Sequence, residues 1–204
     1  MKWVSLPPFP GEGRILSTAA VCDSTLFIIG GCSLSRDNSG ETSRTYLSDM
    51  IGYDMTSKDP SKWGSSGRQQ LAGPGMPVAA AAGPAPVREN SILLIGGDKR
   101  GNSPDPSRPV AQSRDILVYD VIGNTWTRQG EWPVGIATVP AVVRGSEIMT
   151  ISGETAPGVR TPVNASASAG YHFEMSTVDY AVLILTIIVL AIIIVSAVRN
   201  GVKN

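Results

Sequence analysis

Three short apolar runs recur along the chain, and each ends on a small residue followed by glycine. Leu26-Phe27-Ile28-Ile29 leads into Gly30-Gly31, Ile92-Leu93-Leu94-Ile95 into Gly96-Gly97, and Ile148-Met149-Thr150-Ile151 into Ser152-Gly153. Four apolar residues bounded by turn formers predict buried strands, because they are too short for a helix. A small or β-branched segment precedes each run, at residues 18–21, 78–82 and 138–143, so each unit predicts a pair of strands. The echo continues past the glycines. Tyr53-Asp54 lies 22 residues beyond Gly31, and Tyr119-Asp120 lies 22 residues beyond Gly97; Trp63 and Trp126 follow ten and seven residues later. The polar stretch Ser33 to Arg44 and the Pro-rich stretch Asn102 to Pro109 are expected to be loops that lengthen the units. The third unit has Met175-Ser176 where the first two carry Tyr-Asp.

The pattern changes at Tyr180. From there to Val198 run nineteen residues without a charge, apolar on every face. At ~1.5 Å per residue a helix of this length spans roughly 28 Å, close to the hydrocarbon thickness of a bilayer. A transmembrane helix is expected at 180–198, with a buried core helix as the alternative. Glu174 and Asp179 precede this run, and Arg199 and Lys203 follow it. The positive-inside tendency then places the C-terminus in the cytoplasm and residues 1–179 outside, as a single-pass protein of the cell membrane. Residues 1–30 carry no apolar run of export-signal type, so this topology expects an upstream start; a tail-anchored chain of opposite orientation is the alternative.

Composition sharpens the division. Residues 1–179 hold 21 glycines and all 15 prolines, which suits many short strands joined by turns and excludes a helical bundle. All 17 acidic residues lie at or before Asp179 with 15 of the 17 basic ones, giving −2 for residues 1–179 and +2 for the rest. No basic excess exists to neutralise a run of phosphates, so nucleic acid is not an expected partner. One histidine and two cysteines ten residues apart assemble no zinc-type ligand set, and no metal or other cofactor is expected. Cys22 and Cys32 read as small buried apolar groups on adjacent strands.

The order of strand, paired glycine, long loop, Tyr-Asp and Trp resembles the kelch repeat. The resemblance implies that each unit is one blade of a β-propeller. The expected fold is all-β: a partial kelch-type propeller of about three blades over residues 1–170, a juxtamembrane linker at 171–179, the helix at 180–198 and a tail at 199–204. Propellers typically close with four to eight blades, so three leave the ring open and favour assembly with a second copy.

The residue after each second glycine is Cys32, Asp98 or Glu154. Around the last of these, Gly153 to Pro162 reads G-E-T-A-P-G-V-R-T-P, preceded by Trp132-Pro133 and the segment 138–143. Among kelch proteins this stretch resembles the sialic acid mutarotases, or N-acetylneuraminate epimerases. That resemblance implies Glu154 and Arg160 as catalytic residues and sialic acid, or a related sugar acid, as substrate. Anomer exchange requires opening a cyclic hemiketal, for which a carboxylate serves as base and then as acid. A guanidinium suits the carboxylate of the sugar acid. From residue types alone, Glu154 and Arg160 also read as a solvated rim pair. Asp98 is a candidate substrate-binding carboxylate, with Arg100 as its ion-pair partner, and His172 reads as an interfacial residue.

Ser176 to Tyr180 and the apolar run after it resemble the opening of the first helix of sodium:solute symporters. Bacterial proteins that join a mutarotase region to such a symporter have the same order. The resemblance implies association with sodium-coupled sugar-acid uptake, as part of a fusion or of a split gene. A fragment without independent activity and a non-catalytic kelch module binding a partner or glycan at the membrane are the competing readings.

Overall fold

The computed structural model describes residues 2–3, 5, 8–56, 76, 80–99 and 110–168. The chain forms two compact units, Met1–Ala169 and Gly170–Asn204, and every described residue belongs to the first. The expected linker, transmembrane helix and tail, with His172, lie outside the described residues, as do Trp63, Arg100 and 102–109. Among the described residues there is no helix long and apolar enough to cross a membrane.

The described residues are all-β, built of small antiparallel sheets. In the first blade β1 (Thr18–Cys22), β2 (Thr25–Ile29) and β5 (Met50–Asp54) lie in the order β1-β2-β5. Within the connection from β2 to β5, β3 (Cys32–Arg36) and β4 (Thr42–Tyr46) pair as a hairpin. The second blade orders β6 (Val87–Arg88), β7 (Ser91–Ile95), β8 (Asp115–Asp120) and β9 (Thr125–Glu131) consecutively. In the third, β10 (Ala141–Arg144), β11 (Glu147–Ile151) and β14 (Asn164–Ser168) form the sheet, and the hairpin of β12 (Glu154–Ala156) and β13 (Val159–Arg160) stands apart.

The three apolar runs form β2, β7 and β11, but three neighbouring expectations need correction. The polar stretch 33–44, expected as a loop, supplies most of the β3–β4 hairpin. Its turn is held by Asp37 Oδ1, which accepts from the N–H groups of Ser39 and Glu41 at 2.9 Å each and from Ser39 Oγ at 2.6 Å. Those bonds, led by the Ser39 side chain, also hold the Asp37 carboxyl below its ordinary value. Of the segment 78–82, the described Ala81 makes only an isolated bridge to Asp98, and the partner of β7 lies further on. There the carbonyls of Pro84 and Pro86 accept from Ile95 and Leu93 N–H, but neither proline can donate, so regular pairing is confined to Val87–Arg88. In the third unit the strand starts at Ala141, not Thr138, because Thr138 has a left-handed φ of 57° and Pro140 follows.

The sheets stack face to face, and side-chain alternation on β7 shows how. Ile92 and Leu94 join Phe27, Ile29, Leu117 and Tyr119 in the core against the first blade; Leu93 and Ile95 join Trp132, Ile136 and Ile148 against the third. Phe27 meets Tyr119 edge-on with ring centroids 6.0 Å apart, and Tyr119 lies 5.1 Å from Trp126, so Tyr119 is a bulky filler between the first and second blades. Trp132 is fully buried and donates Nε1–H to Thr150 Oγ1 at 3.1 Å. Cys22 and Cys32 are both buried, but β1 and β3 belong to different sheets, so the expected adjacency is absent. Among the described residues the central blade is covered on both faces and each flanking blade on one, consistent with a partial β-propeller.

Backbone contacts between blades explain the paired glycines. Gly31 N–H donates to Ala80 O at 3.0 Å and Gly97 N–H to Ile136 O at 2.8 Å. A Cβ on Gly30 or Gly96 would lie 2.3 or 2.4 Å from those same two carbonyls, and both glycines have positive φ. Ser152 has the same conformation at φ 65°, and its blade has no successor among the described residues.

Candidate functional site

Each blade repeats one step after its Gly-Gly or Ser-Gly pair: Cys32, Asp98 and Glu154 bridge antiparallel to Ile15, Ala81 and Ala137. The residues that follow those partners, Leu16, Ala82 and Thr138, have φ of 58°, 58° and 57°. They are linked in series, Ala82 N–H donating to Leu16 O at 2.7 Å and Thr138 N–H to Ala82 O at 2.8 Å. This series lines a cleft of about 450 Å³ walled by residues 16–19, 82–86 and 138–141. Its volume falls within the usual range of small-molecule sites, about 300–1,000 Å³.

Glu154 and Arg160 are brought together directly. They face each other across the β12–β13 hairpin, whose turn at Pro157-Gly158 is made possible by Gly158 at φ 76°. Arg160 Nη1 donates to Glu154 Oε2. Thr138 completes the group: its hydroxyl accepts from Arg160 Nη1 at 3.2 Å and lies 3.4 Å from Glu154 Oε2, to which it donates. The other carboxylate oxygen, Oε1, accepts from Gly158 N–H at 2.9 Å. An ionised carboxylate has about four lone-pair sites, so these three donors orient it and leave acceptor capacity for a ligand. The Glu154 side chain is 14 % exposed and that of Arg160 is 68 % exposed. A sheltered carboxylate beside an accessible guanidinium combines a proton acceptor with a binder of anions.

Asp98 occupies the equivalent step one blade earlier, 4 % exposed, and accepts from Tyr46 Oη at 2.9 Å. Its expected partner Arg100 is outside the described residues. The neighbouring Lys99 pairs instead with Asp115. Lys99, and then Arg128 Nε at 2.8 Å, hold the Asp115 carboxyl below its ordinary value against the opposing effect of burial. Arg128 continues to Glu131 at 2.9 Å, so this network ties the start of β8 to the end of β9.

Thr138 is the member of the site that strand patterning missed. Its signal is positional: it is the polar residue at a step filled by Leu16 and Ala82 in the other blades. A β-branched residue at positive φ is strained, and here the inter-blade bonds impose that conformation while the hydroxyl is put to use.

Fold and site together define a stack of antiparallel sheets consistent with a partial β-propeller, with a carboxylate–guanidinium pair beside a cleft. No family model matches the chain. It is similar to the N-acetylneuraminate epimerase of Yersinia enterocolitica, 23 % identical over 185 residues, covering 78 % of this chain and 45 % of that protein. It is also similar to that of Haemophilus influenzae, 25 % identical over 181 residues and covering 78 % and 46 %. A solved structure titled "Structure of YjhT" matches with a TM-score of 0.61 at 22 % identity, over 82 % of this chain and 53 % of that one. This likeness shows the fold. The chain spans about half the length of the curated relatives it matches.

Proposed function

We propose that the chain is a kelch-type mutarotase segment that interconverts the anomers of N-acetylneuraminic acid or a closely related sugar acid. The observation that carries this reading is the Glu154–Arg160–Thr138 group beside the cleft, and the similarity to two N-acetylneuraminate epimerases supports it. Arg160 binds the substrate carboxylate, which fixes the adjacent anomeric carbon near Glu154. Glu154 removes the proton of the anomeric hydroxyl as the bond between anomeric carbon and ring oxygen breaks, and the ring oxygen gains a proton. The resulting open-chain ketone rotates and recloses on its other face, with Glu154 acting as acid where it had been base. No atom is gained or lost. Thr138 keeps the carboxylate and guanidinium in register.

The proposal extends to further blades, from a second copy or from additional chain, that complete the ring around the cleft. It also extends to a membrane anchor at 180–198 and association with a sodium:solute symporter, both supported by sequence pattern and resemblance. Exchange NMR on the anomers of N-acetylneuraminic acid tests the central activity. Acceleration by the full chain that disappears in Glu154→Gln is expected; a wild-type rate equal to buffer refutes the proposal.

A further inference from the structure

Tyr46 and Gln112 occupy the same step of consecutive blades. Each is followed by a residue whose N–H donates to the carbonyl of the second glycine, Leu47 to Gly31 at 2.9 Å and Ser113 to Gly97 at 3.0 Å. From this step Tyr46 reaches into the next blade, its hydroxyl 2.9 Å from Asp98. The equivalent residue one blade on from Asp98 is Glu154, and Gln112 meets the third blade beside it through the backbone: its N–H donates to the carbonyl of Thr155 at 2.7 Å. The backbone is tightly held there, since a Cβ on Gly135 would come within 2.2 Å of Gln112 O. What differs is the side chain. Gln112 is 5 % exposed, and among the described residues its Oε1 is a buried oxygen with no hydrogen-bond partner. Tyr46 finds a carboxylate to donate to, whereas an amide oxygen can gain nothing from Glu154, which is itself an acceptor. A bare buried acceptor is costly unless something donates to it.

We propose that Gln112 is a substrate-binding residue of the Glu154 site, its Oε1 accepting a hydrogen bond from a hydroxyl of the bound sugar acid. The inference rests on the function proposed above and adds a division of labour: Arg160 takes the carboxylate end, and Gln112 selects for a hydroxylated one. An acceptor at this place repels a second carboxylate and rewards a hydroxyl, so it contributes to specificity more than to proton transfer.

Three full-length variants, Gln112→Leu, Gln112→Met and Glu154→Gln, separate this role from the reading it rests on. The probe is N-acetylneuraminic acid, followed by exchange NMR over a range of concentrations, with thermal unfolding in parallel. The apolar replacements remove a bare acceptor, so their unfolding temperatures are expected to equal or exceed wild type. Their KM is expected to rise about ten-fold with kcat within about three-fold, whereas Glu154→Gln loses kcat. An active wild type whose two Gln112 variants keep KM overturns the Gln112 role alone, and so does a fall in unfolding temperature in both. A wild type that neither binds nor exchanges the sugar overturns the functional reading and this inference with it.

Discussion

At the scale of single residues, the site is a carboxylate held by three donors, and each donor has a separable role. Replacing Glu154 by Gln is expected to slow anomer exchange by about 10²- to 10⁴-fold with little change in unfolding temperature, read by NMR and thermal unfolding. Thr138→Ala removes the hydroxyl that bridges Arg160 and Glu154 and also relieves a β-branched strain, so about ten-fold slower exchange with an unchanged or higher unfolding temperature is expected. Asp115 gives a pH prediction. Its folded value is depressed, so its contribution to stability is complete above the ordinary carboxylate range near pH ~4 and is lost as pH falls through the lowered value. Denaturant unfolding at pH 7 and pH 3 should therefore show wild type losing more stability than Asp115→Asn. The pairing of Glu154 with Arg160 was legible in the sequence, because the family resemblance singles out both. Thr138 and Gln112 were not, since their meaning depends on which step of a blade they occupy. That becomes visible only when Leu16, Ala82 and Thr138 align, and Tyr46 with Gln112.

At the scale of elements, glycines that look alike in sequence carry different burdens. Gly96→Ala drives a Cβ to 2.4 Å from Ile136 O at a left-handed φ, and a loss of about 3 kcal/mol or more is expected in chemical denaturation. Gly158→Ala, in the β12–β13 turn, meets nothing within 4 Å and is expected to cost about 1–2 kcal/mol from its φ of 76° alone. Equal losses for the two would contradict the inter-blade packing. The strands β2, β7 and β11 were readable from apolar runs, because burial on a sheet needs little beyond hydrophobicity and length. Their partners were read less well. Pro84 and Pro86 accept hydrogen bonds but cannot donate them, Thr138 is held out of strand conformation as its N–H donates to Ala82 of the neighbouring blade, and the β3–β4 hairpin is polar because it lies outside the core.

At the scale of the molecule, two outer faces remain apolar. On the third blade Val142 and Ile151 are 50 % and 62 % exposed, and on the first Val21 is 47 % exposed beside half-buried Leu26 and Ile28. Such faces predict concentration-dependent association through blade stacking, measured by sedimentation velocity, with Val142→Lys and Ile151→Lys together shifting the chain toward monomer. Unchanged association would place the contact elsewhere. The sequence by itself determined the repeat: apolar strand, paired glycine and aromatic recur because every blade faces the same packing problem, and local pattern records it. Its charge-free run at 180–198 stands on hydropathy alone. Only the tertiary structure decided which residues of neighbouring blades meet. An inter-blade hydrogen bond holds the left-handed step at Thr138, whose hydroxyl meets Glu154 and Arg160, and another joins the backbone of Gln112 to Thr155, the residue after Glu154. The bonds from Thr138 N–H to Ala82 and from Gln112 N–H to Thr155 join residues of different blades, so no pattern within a single unit could specify them.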